Sequence, residues 1–281
     1  MLRIVTDGAV DMPFEWQEQY DIQIIPINIH FGEKTYLQYV DLDLQTFYKM
    51  IDEKGSVFPK TSQPSPHQFA EFYKKIAKEG DTILSIHITS KLSGTYASAV
   101  AAAEDVKGMF KVVTVDTLGG SIGTGFMCRA ARQMERAGQS VEEIVKYIEA
   151  VRSNVQLILT LDTLDYARRS GRVGAFSAAL ASLLNVKPIA QLKDGLVNMV
   201  DRVRTRKAAL ERVLDMARDA YGDQPVLLGV VHARDLASGQ ALLEEAKKRF
   251  NVKEAFLTDL SISLAINFGP GTLGLVLYPA E

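Results

Sequence analysis

Two short polar stretches carry the residues best suited to holding an anion, Thr61-Ser62-Gln63-Pro64-Ser65-Pro66 and Ser90-Lys91-Leu92-Ser93-Gly94-Thr95-Tyr96. Each stands where a helix is about to begin. The unpaired N–H groups and partial positive charge of a helix N-terminus favour a carboxylate or phosphate, and adjacent hydroxyls add donors. Serine and threonine at such places ordinarily serve as caps. Ser65-Pro66-His67-Gln68 fits a capping box, with Ser65 as the cap, Pro66 at the first helical position and Gln68 reaching back. Thr61 and Ser62 lie upstream of that cap and stay available to a ligand, as do Ser93 and Gly94 in a strand-to-helix turn. Arg172, set between glycines, and Arg204, at a predicted hairpin's exit, could each grip a carboxylate or phosphate with two N–H groups. Arg168, Arg169, Arg202 and Arg206 beside them read as solvated surface.

Other chemistries find less support. His30, His67, His87 and His232 are widely spaced, with no pair one helical turn apart, so a metal site is not expected. No Gly-x-Ser-x-Gly elbow follows any strand, which leaves Ser93 without a base and ranks binding above nucleophilic attack. The run from Gly119 to Gly125 has neither the third small residue of a dinucleotide fingerprint nor a P-loop lysine. Close packing of that turn against a neighbouring loop is the expected role. Cys128, the only cysteine, sits in an apolar stretch and reads as a buried small hydrophobe.

The elements that must position these groups alternate in type. Arg3–Thr6 and Ile22–Phe31 read as buried strands around a helix that Pro13 opens and that ends near Tyr20. Gly32-Glu33 is a turn, Leu44–Glu53 a helix, and Gly55–Pro64 a loop. A helix carrying Phe69, Phe72, Tyr73 and Ile76 follows, then strand Thr82–Thr89, helix Tyr96–Val106, strand Lys111–Val115 and a helix to Ala137. A second capping box, Ser140 with Glu143, opens a helix to about Ser153. Residues 1–154 are therefore expected to form an α/β domain with a mainly parallel sheet covered on both faces. Residues 155–281 are expected to form a second α/β domain with a mixed sheet. Its antiparallel hairpin is signalled by Asp194-Gly195 between Pro188–Leu192 and Leu196–Arg202. Strand Gln156–Leu161, helix Leu164–Ser170 and a small-residue helix Phe176–Leu184 precede that hairpin. Helix Arg206–Tyr221, strand Val226–His232, helix Ala237–Phe250, strand Glu254–Thr258, the run Ile262–Ile266 and strand Leu273–Tyr278 follow it.

The chain has 281 residues, 47% hydrophobic and 23% charged, enough to bury a large core. A net charge of −2 gives no electrostatic reason to expect nucleic acid. No long apolar span or signal-peptide core is present, so neither stable membrane insertion nor export is expected. With one cysteine and no internal disulfide, a cytoplasmic setting is expected.

Taken together, Thr61-Ser62-Gln63-Pro64, Leu92-Ser93-Gly94-Thr95-Tyr96, Gly171-Arg172-Val173, Lys187-Pro188-Ile189 with Asp194-Gly195, Arg204-Thr205 and Gly269-Pro270-Gly271 resemble the DegV family, in order and over essentially the whole chain. The resemblance implies a fatty-acid-binding protein of two α/β domains with the acyl chain between them. It implies that the carboxylate is held by hydroxyls at Thr61 and Ser93, with Ser62, Gly94 and Asn267 close by. It also implies a partner, the ATP-dependent catalytic subunit of a fatty acid kinase, for whose docking, or for head-group presentation, Arg172 and Arg204 are the candidates. Two positions depart from the family pattern: Asn267 stands where a histidine is usual, and Asp7-Gly8 where Asp-Ser is usual. Asparagine cannot carry a proton or positive charge near neutral pH.

The expectation is a non-catalytic carrier of one long-chain fatty acid, with no cofactor. Ile27, Ile29, Leu92, Phe176 and Phe268 are candidates for the tunnel wall, and core packing would explain each singly. The rival is an enzyme acting on a small phosphorylated or carboxylated metabolite in an interdomain cleft. A long apolar tunnel would favour the carrier, an open polar cleft the enzyme.

Overall fold

The computed structural model describes residues 1–172 and 186–280. The small-residue helix expected at Phe176–Leu184, with Val173 and Gly174 before it, lies outside the described residues.

Near-continuous apolar runs build a four-stranded, all-parallel sheet from Leu2–Asp7 (β1), Ile22–Ile25 (β2), Thr82–His87 (β6) and Lys111–Asp116 (β7), in the order β2-β1-β6-β7. Successive side chains point to opposite faces, so a strand buried on both sides needs no polar alternation. Val5 and Ile83 pack with Phe69 and Tyr73 of one helix (α3, Pro66–Ile76) and Ala99 and Ala102 of another (α4, Thr95–Asp105). Ile4, Leu84 and Ile86 belong to a different cluster with Ile122 and Phe126 of a long helix on the other face (α5, Ser121–Arg136). Helices Glu15–Gln19 (α1), Leu44–Asp52 (α2) and Val141–Val151 (α6) complete this part of the chain. Both expected capping boxes, Ser65 with Gln68 and Ser140 with Glu143, are formed.

Two expectations fail here for one reason. Ile22–Phe31 is not a single strand: Pro26, which has no N–H to give a ladder, ends β2, and the chain leaves for another sheet. There Asn28–Phe31 (β3) is the centre of a three-stranded antiparallel sheet between Lys34–Leu37 (β4) and Lys60–Ser62 (β5). The stretch expected to be wholly loop thus contains β5, whose Thr61 and Ser62 pair with Ile29 and Asn28.

The larger sheet has six strands, ordered β10-β9-β8-β13-β11-β12. They are Gln156–Thr160 (β8), Lys187–Lys193 (β9), Leu196–Val203 (β10), Pro225–His232 (β11), Asn251–Asp259 (β12) and Leu273–Pro279 (β13). Only β11 and β12 run parallel. The β9–β10 hairpin turns at Asp194-Gly195 with φ of 51° and 80°, the left-handed pair that a tight hairpin turn requires. Arg206–Tyr221 (α8) and Leu236–Arg249 (α9) cover one face through Val213, Leu214, Leu242 and Ala246. Leu157, Leu159, Val276 and Tyr278 on the other face join the cluster that contains α5. One apolar core therefore runs from sheet to sheet, with the Phe126 and Tyr278 rings 5.2 Å apart. Two short helices, Asp165–Ser170 (α7) and Ile262–Phe268 (α10), lie at the strand ends. The result is an α/β fold with a parallel first sheet and a mixed second sheet bearing an antiparallel hairpin.

Candidate functional site

Thr61, Ser62, Ser93, Arg172 and Asn267, distant in sequence, line one narrow cavity of about 60 Å³. They come from β5, from the turn between β6 and α4, from the residues after α7 and from α10. Gly94 lies just behind the lining. A Cβ there would sit 2.7 Å from Gln63 Nε2, so the bare glycine leaves room for the Gln63 side chain that forms part of the wall. Arg204, in the link from β10 to α8, is exposed, outside the lining, and has no ion pair among the described residues.

What brings α10 to this place is a set of polar contacts from the start of the chain. Asp11 accepts from the Ser261 backbone N–H at 2.8 Å and from the Ser121 hydroxyl. Gln38 accepts from the Ser263 N–H at 3.0 Å and donates to the Gly8 carbonyl, which also accepts from the Ser263 hydroxyl. These contacts satisfy N–H groups that the first turn of a helix leaves unpaired. The Asp7-Gly8 departure has a physical reading: a Cβ at Gly8 would lie 2.9 Å from Gln38 Nε2, so the Gln38 amide fills the space. Opposite, the hairpin tip rests on the turn that carries Ser93. Thr89 donates to the Gly195 carbonyl at 3.1 Å and the Lys91 ammonium to that of Asp194 at 2.7 Å. On the β5 side, Asn28 donates to the Gln63 carbonyl at 3.2 Å and pairs with Gln68, tying the α3 capping box to the wall.

The hydroxyls differ in how free they are. Thr61 Oγ1 makes no hydrogen bond among the described residues. Ser62 Oγ lies 2.8 Å from His30 Nε2, so of the two hydroxyls expected to be available to a ligand this one already has a partner. Ser93 Oγ accepts from the Thr95 N–H at 3.3 Å and meets Thr95 Oγ1 at 2.8 Å, a local contact just ahead of α4, whose N-cap is Gly94, while the residue lines the cavity. Asn267 donates through Nδ2 to the Ser263 carbonyl at 2.6 Å, and its buried Oδ1 has no partner among the described residues. Arg172 spends Nη1 on the Ser170 carbonyl at 2.6 Å and is otherwise exposed.

Ile88, Leu92, Leu264 and Phe268 are shared between this cavity and a second one of about 50 Å³. The second is walled mainly by Leu157, Leu159, Leu192, Val197, Val231 and Leu260, with glycines closing gaps. A cavity of mixed lining, with hydroxyls and amides beside apolar side chains, backed by an almost wholly apolar one suits an amphiphile with a small head. Of the apolar candidates, Ile27, Leu92 and Phe268 are on these walls, Ile29 is wholly buried in the core away from them, and Phe176 lies outside the described residues.

A second polar group resembles catalytic machinery more closely but is sealed. His87 Nδ1 lies 2.9 Å from Asp7 Oδ2 and its Nε2 2.6 Å from Ser85 Oγ, which in turn meets the Tyr73 hydroxyl at 2.8 Å. His87, Ser85 and Tyr73 are fully buried and Asp7 is 1% exposed, and none of them lines either cavity. Every member has its partners, and Asp7 also accepts from the Ala9 and Ile88 N–H groups. Among the described residues no cluster of histidine, cysteine and carboxylate side chains could hold a metal ion. Burial pushes the Cys128 thiol up to about 12, which makes it inert.

Asp11, Asn28, Gln38 and Ser263 were not found by sequence reasoning, and Gln63 was named only as part of its stretch, without a role of its own. A lone polar residue inside an apolar run, as in Ala9-Val10-Asp11-Met12, is the signal that was there to use, because a buried polar group has to be paired.

The DegV family profile, described as one of uncharacterised proteins, matches residues 1–280. A fatty-acid-binding protein of Thermotoga maritima is 33% identical, over 100% of this chain and 98% of its own length. Among solved structures, a DegV family protein of Thermus thermophilus described for its fatty acid binding superposes with a TM-score of 0.91 at 31% identity, covering 99% of both chains. A stearic-acid-binding protein of Eubacterium ventriosum superposes with a TM-score of 0.91 at 26% identity, covering 99% of this chain and 98% of that one. The chain belongs to the DegV family.

Proposed function

We propose that this protein is a carrier that binds one long-chain fatty acid, its head beside Thr61, Ser93 and Asn267 and its acyl chain directed into the apolar cavity behind them, which at about 50 Å³ would have to widen around it. The observation that carries this reading is the sharing of Ile88, Leu92, Leu264 and Phe268 between a cavity that presents hydroxyls and amides and one that is almost wholly apolar. The fatty acids named for the relatives from Thermus thermophilus and Eubacterium ventriosum support the same ligand class. On this reading the chain comprises two α/β domains, 1–154 and 155–281, with the ligand between them. Burial supplies about 0.8 kcal/mol per methylene, and the hydroxyls fix the head. The enzyme reading would need a polar floor to the cleft, and the neighbouring cavity is walled by leucine and valine. Among the described residues no helix is long and apolar enough to cross a membrane.

The carrier would work in the cytoplasm and present its ligand to a separate ATP-dependent kinase. Arg172 at the cavity and the exposed Arg204 are the groups proposed to meet that partner or the head group. Organic extraction of the purified protein followed by mass spectrometry tests the reading. A long-chain fatty acid at near one per chain is expected. Absence of any, with none taken up on incubation, would sink it.

A further inference from the structure

Asn267 sits on α10 with its amide orientation fixed. The Ser263 carbonyl one turn back can only accept, so Nδ2 faces it at 2.6 Å and Oδ1 is turned away. That Oδ1 is buried and has no hydrogen-bond partner among the described residues, while the residue itself lines the polar cavity. A buried carbonyl oxygen left unpaired costs about 1–3 kcal/mol, and an occupant offering an O–H or N–H would recover it. An ionised carboxylate cannot: it has only lone pairs, and set against Oδ1 it would add repulsion.

The charged and titratable groups around the head bear on which form is bound. Among the described residues no aspartate or glutamate lines the cavity. The one cation in the lining, Arg172, is exposed to water and already shares its charge with the Ser170 carbonyl. From the β3 side, His30 reaches the cavity only through Ser62 Oγ, its other ring nitrogen lying 2.9 Å from Thr35 Oγ1. The hydroxyls of Thr61 and Ser93 can either donate or accept and so serve a neutral head as well as a charged one.

We infer that Asn267 selects head groups that donate a hydrogen bond, so that a fatty acid is held here as the protonated acid and the primary alcohol or amide of the same chain is admitted too. This rests on the acyl-carrier reading and adds the ionisation state and head-group class to it. The bound carboxyl would then titrate well above the ordinary carboxylic range near 4. Affinity for the acid would fall as pH rises from that range toward the bound midpoint, because the free ligand ionises first.

The test uses the full chain loaded with palmitic acid labelled with ¹³C at the carboxyl, whose chemical shift reports ionisation across a pH titration. Expected is a bound carboxyl still protonated at about pH 6, and displacement of the acid by hexadecanol or palmitamide at neutral pH. In Asn267→His, whose imidazole can donate, the midpoint moves down and the alcohol loses ground against the acid. A wild-type carboxyl already ionised at about pH 5, or refusal of both neutral competitors, overturns the inference while leaving the carrier reading intact. Failure to bind palmitic acid, hexadecanol and palmitamide alike sinks both. The wild-type titration stands by itself if the variant does not fold.

Discussion

The sealed Asp7–His87–Ser85–Tyr73 chain and the cavity around Thr61, Ser93 and Asn267 draw on similar side chains and behave oppositely. In the first every polar atom has its partner and water is excluded. In the second, among the described residues, one hydroxyl is unengaged and one buried carbonyl oxygen is unpaired. Fully paired buried polar groups specify a core, whereas unpaired ones leave hydrogen-bonding capacity for something else. On the carrier reading, the arrangement that looks most like a catalytic triad would serve stability, and the less suggestive set of hydroxyls the ligand.

The strongest way to break that contrast is His87→Leu, which leaves the buried Asp7 carboxylate short of a partner. A loss of about 3–5 kcal/mol in urea unfolding is expected, with fatty acid uptake by the folded fraction unchanged. Uptake abolished at unaltered stability would reverse the assignment.

Asp11 lies between the two extremes, paired like the core yet titrating near the physiological range. Burial raises its pKa to about 6 against the pull of Ser121 and Ser261. The folded state thus takes up this proton at higher pH than the unfolded chain does. The contribution to stability is full below about pH 4, declines as pH rises to 6, and is constant above, a loss on the order of 3 kcal/mol. Asp11→Asn removes the slope. The difference in unfolding free energy between variant and wild type should change across pH 4 to 7 in the variant's favour, and a constant difference would remove Asp11 as the titrating group.

Smaller effects should separate the two hydroxyls of the cavity. Thr61→Ala removes a side chain with no internal hydrogen bond, so stability should hold while acyl affinity drops a few-fold, about 0.5–1.5 kcal/mol. Ser93→Ala should show a similar affinity loss together with a stability loss of about 0.5–1.5 kcal/mol, since its hydroxyl also pairs with the Thr95 N–H at the start of α4. Unchanged affinity in the double variant, measured by fluorescent fatty acid displacement, would remove both from the head site.

Much of this was legible beforehand because the periodicity is local. The capping boxes at Ser65 and Ser140, the Asp194-Gly195 turn and the two-sided apolar strands each depend on residues within a few positions. Pro26 marked the end of β2 in plain sight but was read as part of one strand. Strand β5 carries Lys-Thr-Ser and exists through its ladder to β3, a non-local pairing that no local pattern announces. The same holds for the site. Ser62 turned out to be engaged by His30, 32 residues away, and the supports of α10 come from Asp11 and Gln38, more than 200 residues away in sequence.

On the carrier reading, those supports would also constrain how an acyl cargo leaves. Since α10 is tied to the start of the chain and the hairpin tip to the Ser93 turn, parting the two sheets would break both attachments and wet the shared core. Release is then cheaper end-on, by sliding along the cavity. Each methylene drawn into water during that slide would slow escape about fourfold at 0.8 kcal/mol apiece, so residence time, and not encounter rate, would sort acyl chains by length.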